Sequence, residues 1–158
     1  MSALNPIQFT QDQARTLTGV SAETVRHWRK AIPYLSAKTG KAARFTFADV
    51  LGLAVTHQMV NLFGVHIAVM CTGVDALFHL LTASDPSAQE GAIVFITSTE
   101  ANLHESSTVG LGRAPEKPAL MIPLAPLIAN IHRQMLPAMP ASNQTAFPFP
   151  VATARGGA

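Results

Sequence analysis

Gly19-Val20-Ser21-Ala22-Glu23-Thr24-Val25-Arg26-His27-Trp28-Arg29-Lys30 decides how this chain is read. Gly19 suits the end of one helix, because a residue without a Cβ enters left-handed backbone at no steric cost. Ser21 suits the start of the next, its hydroxyl accepting from an otherwise unpaired amide of the first turn. The helix expected over roughly residues 22–31 places Val25 and Trp28, three apart, on one face. Trp28 reads as the apolar peg that holds this helix to its predecessor. Arg26, Arg29 and Lys30 fall on other faces and are expected to stay in water.

Upstream, Thr10 and Gln13 form a capping-box pattern, so a helix starts at Gln11 and turns Ala14 and Leu17 inward. Downstream, Pro33 ends the second helix, since the residue before proline avoids helical backbone. Residues 34–45 then read as a hairpin. Tyr34-Leu35 and Arg44-Phe45-Thr46 are its strands, and Lys38-Thr39-Gly40-Lys41 is its tip, Gly40 supplying positive φ. Thr46 with Asp49 marks another helix start. That helix is expected over Ala48 to about Leu62, ended by Gly64, with a further one over residues 66–82 in which Gly73 weakens the middle.

The rest of the chain changes character. Residues 84–91 read as a polar turn, 92–97 as a strand, 98–117 as a loop or loose hairpin, and 119–123 as a second strand. Leu127, Ile128, Ile131 and Met135 give residues 124–136 one apolar helical stripe. Residues 1–8 read as a short arm and residues 137–158 as an extended tail rich in Pro, Gly and Ala. The fold class is therefore mainly α with a little β. Residues 1–82 form one domain, 83–136 a small α+β region for dimerisation or partner binding, and 137–158 a tail. No internal repeat is present.

Charge divides the same way. Residues 1–50 carry seven basic side chains (Arg15, Arg26, Arg29, Lys30, Lys38, Lys41, Arg44) against three acidic ones (Asp12, Glu23, Asp49), a balance of +4. The remainder balances at −2, and no Lys or Arg occurs between Arg44 and Arg113. Cations gathered on a helix, a turn and a hairpin suit a polyanion, and duplex DNA is the natural partner.

Gly19-Val20-Ser21-x-x-Thr24-Val25-Arg26-x-Trp28 resembles the MerR-like winged helix-turn-helix superfamily. Arg44-Phe45-Thr46-x-x-Asp49-Val50 is similar to that family's wing exit and third-helix start, and Phe63-Gly64-Val65-x-Ile67 to the turn into its fourth helix. The likeness covers residues 9–82. Arg15 stands where the family usually has a small residue, and His27 where it usually has an aromatic one. The family's long dimerisation coiled coil has no counterpart in residues 83–123. The resemblance implies a winged-helix DNA-binding domain in a bacterial, cytoplasmic, nucleoid-associated transcriptional regulator.

In such a domain the second helix enters the major groove. Ala22, Glu23, Arg26 and His27 would then face base edges, with Arg26 on either guanine or a phosphate. Ser21 and Thr24 would donate to phosphates, Arg29 and Lys30 would lie along the flanking backbone, and Lys38, Lys41 and Arg44 would touch phosphates or the minor groove. The apolar helices of residues 45–83, with only Asp49 and Asp75 charged, call for cover by a second copy. A homodimer on a palindromic operator is expected, a repressor rather than an activator. Two alternatives stay open: an architectural DNA-binding protein of the excisionase or small terminase subunit type, and a ligand- or protein-sensing regulator using residues 92–136. A small-molecule effector has no residue pattern to support it.

Other chemistry is not expected. One cysteine, Cys71, excludes an internal disulfide and a multi-cysteine zinc site. The six histidines form no H-E-x-x-H unit, and no nucleophile, base and oxyanion donors assemble. No enzyme, metal site or cofactor is therefore expected. His57, Gln58, Asn61, His66, Asp75 and His79 interrupt the most apolar stretch, and no membrane span is read there.

Overall fold

The first helix begins where side-chain chemistry closes its open end. In the computed structural model, which describes residues 6–40, 42–109 and 116–136, a short strand β1 (Gln8–Phe9) leads into α1 (Gln11–Thr18). The Thr10 hydroxyl accepts from the Gln13 amide at 3.2 Å, and the Gln13 side chain accepts from the Thr10 amide at 2.9 Å. Ala14 and Leu17 are buried, and Gly19 closes the helix at φ +74°. Ser21 then caps α2 (Ala22–Ala31), whose Val25 and Trp28 are buried. This part follows the sequence residue for residue.

The hairpin does not form. Pro33–Ser36 is a short helix, α3, and Leu35 is fully buried. Proline has no N–H to give a ladder, but its fixed φ suits the first position of a helix. The Tyr34 amide donates to the Asp75 carboxylate at 2.7 Å instead of to a strand. Strand β2 (Phe45–Thr46) pairs antiparallel with β1, setting Phe45 opposite Phe9 and Thr46 opposite Gln8. Between α3 and β2 the chain makes a loop in which Gly40 has φ +89°. Lys41, at the expected tip, lies outside the described residues, as do residues 1–5 of the arm and the tail 137–158.

Two long helices follow, α4 (Phe47–Phe63) and α5 (Ile67–Ala83), joined at Gly64 in left-handed backbone. Every residue from Asp49 to Thr56 is buried. Packing by α1, α5 and the last helix covers α4 on several sides, so most of its apolar surface needs no second chain. Leu62, Phe63 and Val69, around the α4–α5 corner, remain exposed.

The expected polar turn after α5 contains a helix, α6 (Pro86–Glu90), capped by Asp85. Its Gln89 is buried and donates to the Leu81 carbonyl at 2.8 Å. Strand β3 (Ala92–Ile96) is the centre of an antiparallel sheet, flanked by β4 (Ala101–Glu105) and β5 (Leu120–Pro123). Ala92, Val94 and Ile96 alternate inward. Helix α7 (Ala125–Met135) buries Leu127, Ile128 and Ile131 as its stripe requires. One apolar cluster runs from Phe9 to Ile131 and joins both halves of the chain. Among the described residues no helix is long and apolar enough to cross a membrane.

Two helical glycines let neighbours approach. A Cβ on Gly52 would lie 2.5 Å from the Phe78 ring, where α4 meets α5. A Cβ on Gly73 would lie 2.0 Å from the Thr97 carbonyl oxygen, at the β3–β4 turn. The Gly73 amide also donates to Ser98 at 3.0 Å. Gly73 therefore does more than weaken a helix: it lets α5 sit on the sheet. Gly73→Ala is expected to lower unfolding free energy by about 1–3 kcal/mol despite its better helix propensity, because the obstacle is backbone. Urea denaturation followed by circular dichroism checks this, and a gain in stability would contradict the packing described.

Candidate nucleic-acid interface

Helix α2 has two faces of different chemistry. Val25 and Trp28 anchor one, while Glu23, Arg26, His27 and Lys30 are exposed on the other. Their spacing of three, four and seven residues makes a single stripe along the helix. Among the described residues none of the four has a hydrogen-bond or ion-pair partner. At the N-terminal end Ser21 Oγ accepts from the Thr24 amide at 3.1 Å and lies 2.8 Å from Thr24 Oγ1. The hydroxyl pair shares one of its two hydrogens, so one remains to donate outward. Ala22 is half-buried beside them.

Not every cation joins that stripe. Arg29, expected in water, is half-buried: its Nη2 donates to Gln11 Oε1 at 2.7 Å, and its buried Nε has no partner. Arg29 thus ties α2 to α1, a role that no periodicity in the sequence announces. Arg15 is engaged with Asp12 at 3.1 Å and with the Val20 carbonyl at 3.3 Å. Arg44 is exposed beside β2 and donates to the Ala43 carbonyl at 3.2 Å.

Lys38 points inward, contrary to its reading as a wing contact. Its Nζ lies 3.0 Å from Asp49 Oδ2 and donates to the Arg44 carbonyl at 3.1 Å, and it also sits over the Tyr34 and Phe45 rings. Asp49 is wholly buried, so its charge needs compensation. Besides Lys38 it accepts from the Thr46 amide at 2.8 Å and from the Tyr34 hydroxyl at 2.5 Å. The capping pair Thr46 and Asp49 was legible in the sequence. That the same carboxylate pins Lys38 and Tyr34 was not, because those partners arrive from another element. Burial, and then the Asp49 carboxylate, push the Tyr34 phenol up to about 12.

Behind the α1–α2 turn lies His57 of α4, its ring 4.0 Å from where a Gly19 Cβ would stand. Burial pushes its imidazole below the ordinary histidine range. The Asn61 amide meets Nε2, an arrangement suited to the neutral ring accepting that hydrogen.

On another part of the surface a groove of about 490 Å³ separates the start of the chain from its C-terminal helices. Ile7, Phe9, Phe47, Leu81, Ile128 and Met135 supply most of its apolar wall. Among the described residues no group of three His, Cys, Asp or Glu side chains could hold a metal ion. Comparison with protein-family models, with curated proteins and with solved structures finds no match to this chain.

Two measurements check the buried carboxylate. Asp49→Asn should cost about 3 kcal/mol or more, because it leaves a partly buried ammonium without its counter-charge. Adding Lys38→Met should recover part of that loss, so the two substitutions couple by about 1 kcal/mol or more in a double-mutant cycle; strict additivity would contradict the pair. Tyr34 is the only tyrosine, which makes its ionisation readable by absorbance near the tyrosinate band. An unfolded phenol ionises near 10 and the folded one near 12, so the fold holds its proton more tightly. This contribution to stability is complete below pH 10 and is lost as pH rises from 10 toward 12. Ionisation of the native protein at the ordinary value would contradict the contact with Asp49.

Proposed function

We propose that this protein is a sequence-specific binder of double-stranded DNA, acting as a transcriptional regulator in a bacterial cytoplasm, with α2 as its reading element. One observation carries the proposal: α2 is fixed to the protein through Val25 and Trp28 and turns Arg26, His27 and Lys30 outward in one unpaired stripe. A helix so placed offers side chains to base edges at its N-terminal end and cations to the flanking phosphates. The Ser21–Thr24 hydroxyl pair supplies a further phosphate donor beside it.

The MerR-like resemblance supports the same reading. The structure narrows the proposed contact set. Arg26, His27 and Lys30 form its centre, Glu23 contributes to base selection, and Arg44, exposed beside β2, is a further candidate phosphate contact. Lys38 and Arg29 belong to the scaffold. Pairing of two copies would impose a palindromic site and raise affinity through effective concentration. Repression by occupying an operator requires no further domain.

A second reading draws on the apolar groove. Its volume falls within the range of small-ligand sites, and its wall joins the amino-terminal helices to the 83–136 region. A ligand held there would favour the sensing alternative, and a specific rise in melting temperature with a metabolite would be its mark.

Selection of bound sequences from random duplex DNA, followed by binding at several salt concentrations, tests the main proposal. Arg26→Ala is expected to cost about 1–3 kcal/mol and to relax preference at one base pair. Equal losses on every sequence would make Arg26 a phosphate contact. Lys30→Ala is expected to weaken all sequences alike and to reduce the salt slope by about one unit. Absence of salt-sensitive binding to any duplex would overturn the proposal.

A further inference from the structure

We propose that the apolar groove is filled from within the chain, by the segment Phe147-Pro148-Phe149-Pro150-Val151 of residues 137–158. The groove, of about 490 Å³, is walled by Ile7 and Phe9 around β1, Phe47 of α4, Leu81 of α5, and Ile128 and Met135 of α7. The Phe47 ring lies tilted against His132 with centroids 5.2 Å apart, so one side of the groove is aromatic. Two large apolar side chains stand in water beside it: Ile7, 65 % exposed, on its wall, and Leu136, 75 % exposed, directly after Met135. Glu90 also lines it, exposed and without an ion-pair partner among the described residues.

Continuity, residue chemistry and charge together name the occupant. Met135 is in the last turn of α7 and lines the groove, so the polypeptide continues from the groove itself. The ten residues 137–146 reach at most ~35 Å, enough for the chain to turn back into it. Both aromatic residues of 137–158 fall in the next three positions, Phe147 and Phe149, and each precedes a proline. A residue before proline avoids helical backbone, so the segment would enter extended. Extended proline-rich segments suit aromatic-lined grooves, because little conformational freedom is left to lose on docking. The single charged side chain of residues 137–158, Arg155, lies four positions beyond Val151 and answers Glu90.

A segment of the same chain meets the groove at an effective concentration of about a millimolar. An external apolar ligand must therefore displace it, which makes the sensing reading a competition. The occupant is identified without reference to DNA, so loss of the duplex-binding proposal would leave it standing.

The test uses the full chain. In a Cys71→Ala background, Glu90→Cys with Arg155→Cys is expected to form a disulfide within one copy about tenfold or more faster than Val69→Cys with Arg155→Cys. Position 69 is the control because it lies about 18 Å along α5 from Leu81. In methyl spectra of the otherwise unaltered chain, Phe147→Ser with Phe149→Ser is expected to shift the Met135 resonance through loss of ring currents. The resonance of Met59, twelve positions beyond Phe47 on α4, is expected to stay in place. Equal cross-linking at positions 90 and 69, a cross-link only between copies, or a Met135 resonance indifferent to both phenylalanines would overturn the proposal. A small molecule extracted from the purified protein that moves the same resonance would give the groove to a ligand and overturn it equally.

Discussion

A single buried carboxylate organises the amino-terminal half. Asp49 has no water to solvate it, so each lone pair must be answered from within. The answers come from three places: the Thr46 amide at the head of α4, the Lys38 ammonium in the loop, and the Tyr34 hydroxyl on α3. Tyr34 extends the network, since its ring stacks on Phe78 with centroids 5.1 Å apart and its hydroxyl also lies 3.0 Å from Thr82. Its amide is bound by Asp75. The loop after α2 is thereby fastened to both long helices, and its lysine is consumed as an internal counter-ion. Such an arrangement specifies one path for the chain more than it adds stability, because desolvation offsets much of the attraction.

The same constraint shapes the exposed stripe on α2. With Lys38 turned inward and Arg29 held by Gln11, the cations left outside are fewer than the sequence count, but they are better ordered. Arg26, His27 and Lys30 share a face because the helix beneath them is fixed at Val25 and Trp28. A scattered positive charge would attract any polyanion; a stripe on a capped and anchored helix can also discriminate among them.

Local chemistry was legible in the sequence, and long-range pairing was not. Thr10 with Gln13, Ser21, Gly19, Thr46 with Asp49, and Gly64 each mark a helix end, because capping is settled within a few residues. Pro33 was ambiguous: it can close one helix or open another, and only the bond from Tyr34 to Asp75, 41 residues away, decides for α3. Helix α6 had a signature in Asp85-Pro86, a capping residue followed by a first-position proline, that a polar composition hid. Strand β4 was obscured because only Ala101 and Leu103 turn partly inward, among exposed Asn102, His104 and Glu105. For the site, residue types and helix face were readable. The fates of Lys38 and Arg29 were not, since their partners lie 11 and 18 positions away with no periodic relation.

The tiny ribbon joining Gln8-Phe9 to Phe45-Thr46 carries a consequence of its own. It closes a loop that contains α1, α2 and α3, so the segment bearing the exposed cations is sewn shut by two residues that precede α1. Proteolytic trimming up to Thr10 would unpick that seam and remove Phe9, a buried member of the core, together with the capping threonine. A bulky group inserted directly ahead of Gln8 would crowd the same stitch.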